Sequence, residues 1–225
     1  MERKEKIRIL IGAIINLIVV GLGIFCLCVF IKYLLIGNKD IRFRYYTNIS
    51  NLTVATISSF NAFFLIKSLV KNKLYIPKVL SIIKFAGLGM VILTFFTVIF
   101  IIVPITGFLP MYSDLKFITH FVLPVIAVVS YFFFEEKTIF EFKYMFFAWL
   151  PPVIYSCVYI PCVVFFKVWP DLYQINTNGL WFIFSPLTCM FGFALATGFY
   201  FLKKLSVKET KKKAWLNIMS FLYMV

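Results

Sequence analysis

The chain has 225 residues, of which 62% are hydrophobic and only 14% charged, with a mean hydropathy of +0.96. Soluble domains are closer to 45–50% apolar, so this composition excludes a soluble domain and implies an all-α polytopic membrane protein. The net charge of +14 does not signal nucleic acid, because the basic residues fall in short flanks between apolar runs, where they set topology and meet anionic headgroups.

A membrane-crossing helix needs roughly 20 mostly apolar residues. Six stretches meet that requirement, at about 9–35, 47–69, 85–106, 115–134, 144–166 and 179–202. Together they form one membrane domain over residues 1–202. The first run is too long for a signal-peptide core and has no small-x-small cleavage site after it, so it is expected to stay as a span. Residues 203–225 read as a basic cytoplasmic tail. Its apolar end is too short to span and suits a helix lying in the interface.

Placing the N-terminus in the cytoplasm puts seventeen Lys and Arg on that side and six on the other. This bias predicts both termini inside and a multi-pass protein of the cell membrane. The five cysteines, Cys26, Cys28, Cys157, Cys162 and Cys189, lie in apolar runs without C-x-x-C spacing. They imply neither a metal site nor a cofactor.

Span two opens with Arg44, Tyr45, Tyr46, Thr47, Asn48 and, one turn on, Asn51. On a helix, Thr47, Asn51, Ser58 and Asn61 fall within about 80° of one another. Such a stripe is expected to face the bundle interior. Thr47 suits a helix N-cap, and the unpaired N–H groups of a first turn can hold an oxyanion. The sequons at Asn48 and Asn51 lie at the span edge and are discounted as glycosylation sites.

The single histidine, His120, stands about five residues into span four, roughly 8 Å deep at 1.5 Å per residue. Both it and Thr47 are expected in the same outer layer, where a hydroxyl and an imidazole form a nucleophile–base pair. Pro124 frees the carbonyl of His120 and bends the helix. Asp114 and Asp171 are the candidate carboxylates for orienting the ring. On one continuous helix, Asp114 would sit about 240° away from it. Arg44 suits either a substrate carboxylate or lipid phosphates.

The segment Phe43 to Leu52 around Thr47, the Asp114-x5-His120-x3-Pro124 pattern, and Trp149, Pro152, Tyr155 and Tyr159 in span five together resemble the androgen-induced-protein / androgen-dependent TFPI-regulating protein family. That family comprises multi-span membrane threonine hydrolases. The similarity runs from span two through span five. It implies a lipid-ester hydrolase, since animal members cleave fatty-acid esters of hydroxy fatty acids. By the same resemblance Thr47 is the nucleophile and His120 the base. Asn48, Asn51, Asp114, Arg44 and Tyr155 are the candidate substrate-binding or supporting residues. The partners expected are membrane lipids and a hydrophobic acyl ester. The alternative is a small transporter or binding protein with a proton-relaying His120, against which stands the lack of a mid-span carboxylate.

Overall fold

The computed structural model describes residues 1–36, 44–112, 114–135 and 141–222, with the side-chain surroundings of 111, 112, 114, 177 and 208–222 left aside. Among the described residues there is no strand, and six helices are long and apolar enough to cross a membrane. Span one is Arg3–Leu35, span two Tyr46–Val70, span three Lys78–Thr106, span four Leu115–Phe134, span five Phe142–Phe165 and span six Trp181–Val207. The helix of span six continues unbroken to Leu222, so the tail carries on from the span rather than following a break.

In hydrocarbon the side chains need not segregate by hydropathy, and the apolar face that meets lipid is as large as the one that packs. Leu17, Phe25, Phe100 and Leu187 point outward, whereas Val19, Val54, Leu88, Val91, Leu123 and Ala127 fill the centre. Small residues let the backbones approach. A Cβ at Gly23 would collide with that of Ala55, which locks span one against span two, and a Cβ at Gly12 would meet the Phe134 carbonyl oxygen at 3.1 Å.

Span three begins at Lys78 rather than near residue 85, and Lys84 is fully buried inside it. A count of loop charges assigns Lys84 to the flank because a lone ammonium in hydrocarbon is costly. Here its charge is answered by Glu135, and the helix extends past it.

Three of the spans carry wide π-turns beside a proline. Val98–Ile102 precedes Pro104, Ile118–Val122 precedes Pro124, and Pro161–Phe165 begins at one. Proline lacks the N–H that closes an α-turn, so the ladder slips to the longer i→i+5 spacing.

Candidate functional site

Thr47 is the second residue of span two, not its cap. The cap position is Tyr45, which makes no side-chain capping hydrogen bond. Thr47, Asn51, Ser58 and Asn61 are all at least nine-tenths buried, so the polar stripe does face the interior. Asn48 is buried with them, out of reach of surface glycosylation.

The first-turn N–H groups of span two are not open to a ligand, contrary to what the sequence suggests. The Tyr46 N–H donates to the Tyr173 hydroxyl oxygen at 2.9 Å, and that oxygen also bonds Thr47 through both backbone and side chain. Those of Asn48 and Ile49 turn back to the Tyr45 carbonyl at 3.0 and 3.1 Å. Tyr173 as a whole is half-buried, but its phenol oxygen is enclosed by this turn and by Tyr155. Burial pushes its pKa above the usual phenol value of 10.0.

His120 lies in the π-turn Ile118–Val122. There the Leu123 N–H bonds the Ile118 carbonyl rather than that of Thr119. The next possible donor to Thr119 is residue 124, a proline. The Thr119 carbonyl is thus stranded by its own helix, and Asn51 Nδ2 donates to it at 2.9 Å from span two. This bond ties the turn that carries His120 to the turn below Thr47.

Thr47 and His120 line one cavity of about 510 Å³, together with Phe30, Asn48, Lys116 and Tyr173. Lys116 holds the loop before span four through the Pro110 carbonyl at 2.8 Å. Thr47 also lines a second, smaller cavity of about 60 Å³ with Tyr46, Thr97, Tyr155 and Tyr173. Tyr46 and Tyr155 in turn border an apolar groove of about 750 Å³ between spans two, three and five. Arg44 lines this groove and not the His120 cavity. Its carbonyl accepts the Tyr155 hydroxyl at 2.8 Å, so Tyr155 braces the entry to span two. The Tyr155 ring packs on those of Tyr46 and Tyr159 at 5.0 and 5.4 Å.

Of the two carboxylates considered for orienting the imidazole, the Asp114 side chain lies outside the described residues. Asp171 is committed to its own loop. Its oxygens accept the N–H groups of Ile175 and Asn176 at 3.0 and 2.7 Å.

A second polar cluster was not legible as a site. Lys84 Nζ donates to Asn16 Oδ1 at 2.8 Å and to Ser58 Oγ at 2.6 Å, and lies 3.5 Å from Glu135 Oε1. Glu135 also accepts from Asn16, Ser130 and Asn61 at 3.1, 2.9 and 2.5 Å. Glu135 stands one residue past span four and folds inward, 4% exposed, so a search for mid-span carboxylates passes over it. The Ser58–Lys84 contact has the reach of a serine–lysine dyad. A base, however, must be neutral, and here all three ammonium donors face acceptors, one of them anionic. None of the cavities described above is lined by Ser58 or Lys84. The cluster pins spans one to four together.

No family model matches the chain, and no curated protein or solved structure shows significant similarity to it.

Proposed function

We propose that the protein is an intramembrane hydrolase of lipid esters, with Thr47 as nucleophile and His120 as general base. The observation that carries this reading is that the chain's only imidazole and a buried threonine, distant in sequence, line the same cavity. The proposed roles are those that the resemblance of the Thr47, His120 and Tyr155 segments to membrane threonine hydrolases implies. In this reading Thr47 Oγ1 gives up its hydrogen bond to the Tyr173 oxygen and attacks the acyl carbon as its proton passes to His120. The imidazolium then protonates the departing alkoxide, and water frees the acyl-threonine by the same route in reverse. The apolar groove beyond Tyr46 and Tyr155 takes the acyl chain. Membrane lipids are the source of substrate, and no cofactor is required.

The reading includes an orientation with both termini in the cytoplasm of a cell-membrane protein. The charge bias remains fifteen to six once the buried Lys84 and Lys203 are set aside.

A transporter or binding protein is the second reading, and the Lys84–Glu135 pair is the observation that favours it. Ionisable pairs inside a bundle mark proton and ion pathways elsewhere. Purified protein in nanodiscs, incubated with a panel of lipid esters, separates the two. The hydrolase reading expects released fatty acid, reduced roughly a thousandfold or more in Thr47→Ala and in His120→Ala. No release from any ester by folded wild-type protein would contradict it.

A further inference from the structure

Two hydroxyls beside Thr47 are buried without a hydrogen-bond partner: Tyr46 Oη and Thr97 Oγ1. Their residues are 7% and 8% exposed, and both line the small cavity of about 60 Å³. Buried hydroxyls almost always find an acceptor, because leaving one unsatisfied forfeits its hydration for nothing. Neighbouring hydroxyls show how readily this bundle supplies one. Ser50 Oγ bonds the Thr47 carbonyl at 2.9 Å and meets Thr94 Oγ1 at 3.2 Å. Thr97, one turn beyond Thr94 on span three, stands apart from that pattern. Two unused donors at one small cavity call for an acceptor brought from outside.

The placement of Thr47 suggests what that acceptor is. Thr47 lines both the small cavity and the larger one that holds His120, so it stands between the base and the two unused hydroxyls. A nucleophile needs its base on one side and, on the other, donors for the oxygen that gains charge. The backbone donors of this turn are spoken for, those of Tyr46 and Thr47 by the Tyr173 oxygen and those of Asn48 and Ile49 by the Tyr45 carbonyl. The hydroxyls are what remain.

We propose that the small cavity seats the carbonyl oxygen of the acyl ester, with Thr97 Oγ1 and Tyr46 Oη as its hydrogen-bond donors. This rests on the reading that Thr47 attacks an ester. When Thr47 Oγ1 bonds the acyl carbon and its proton moves to His120, the carbonyl π-electrons pass to the oxygen held by these two hydroxyls. They return as the C–O bond to the leaving alcohol breaks and the imidazolium gives that alcohol its proton. At about 60 Å³ the cavity has room for a carbonyl group, and the neighbouring apolar groove of about 750 Å³ is the larger space for the acyl chain.

The test uses full-length Thr47→Ala protein in nanodiscs, loaded with a lipid ester carrying ¹³C at its carbonyl, read by infrared difference spectroscopy. The expected band lies below that of the same ester in protein-free nanodiscs and moves back in Thr47→Ala/Thr97→Val and in Thr47→Ala/Tyr46→Phe. A band at one position in all three overturns the proposal. In the otherwise wild-type protein, Thr97→Val should lower kcat by roughly a hundredfold with KM little changed. Removing an unsatisfied hydroxyl should also leave the ligand-free melting temperature equal or higher. A drop in melting temperature, or wild-type kcat in both Thr97→Val and Tyr46→Phe, would mean that the hydroxyls are structural and the seat is wrong while the esterase stands. A shifted band in a protein that cleaves no ester would keep the carbonyl seat and discard Thr47 chemistry.

Discussion

Asn51 donates its amide hydrogen to the Thr119 carbonyl at 2.9 Å, across two spans. It satisfies an oxygen that the π-turn and Pro124 leave without a helical partner. The neighbour of that carbonyl is His120, so the bond fixes the imidazole's segment against the turn that carries Thr47. Asn51→Ala should cost about 1–3 kcal/mol, the penalty for a stranded buried carbonyl. The cost should shrink in a Pro124→Ala background, where residue 124 regains an N–H able to reach Thr119. Thermal unfolding of the four proteins in a double-mutant cycle checks this. Equal costs in both backgrounds would show that Thr119 is not what Asn51 serves.

Tyr173 closes the first turn of span two through its phenol oxygen. Its folded pKa is raised by burial, so the neutral phenol is the form that folding favours. The stability it contributes is fully present below the unfolded value of about 10 and is lost as pH rises through the higher folded value. Tyr173→Phe should therefore cost about 1 kcal/mol near neutrality, a typical net hydrogen-bond contribution. The gap to wild type should close at strongly alkaline pH. Melting curves from pH 7 upward read this directly, and a gap that widens with pH would contradict the assignment.

Lys84 and Glu135 form a fully enclosed ion pair with every donor and acceptor engaged. Breaking such a pair strands a charge and costs about 3–5 kcal/mol, whereas removing both partners costs far less. Lys84→Met and Glu135→Gln should each destabilise by about that amount, and the double variant should recover much of the loss. Additive losses in chemical unfolding would mean that the two groups do not answer each other.

Gly21 and Gly23 sit two residues apart on span one in opposite surroundings. A Cβ at Gly21 meets nothing, while one at Gly23 strikes the Ala55 side chain. Gly21→Ala should raise stability by up to about 1 kcal/mol through helix propensity alone. Gly23→Ala should lower it and be rescued by Ala55→Gly. Thermal shift measurements on the three variants decide the point.

Much of this was legible in the sequence. The apolar run lengths expose six helices long enough to span. The helical spacing of Thr47, Asn51, Ser58 and Asn61 marks the interior face of span two. What escaped is whatever depends on partners distant in sequence. Lys84 reads as a loop charge until Glu135 is seen beside it. Thr47 reads as a cap until the helix is seen to begin at Tyr46. Tyr173 carries no local pattern at all, since its role arises from a loop folding back onto span two.

The central claim is that Thr47 is a nucleophile activated by His120. Its most direct test is to treat the intact protein with a lipid-like fluorophosphonate and map the adduct by peptide mass spectrometry. The account predicts a single adduct on Thr47, absent in Thr47→Ala, strongly reduced in His120→Ala and retained in Ser58→Ala. An adduct on Ser58, or equal labelling of wild type and His120→Ala, would contradict it.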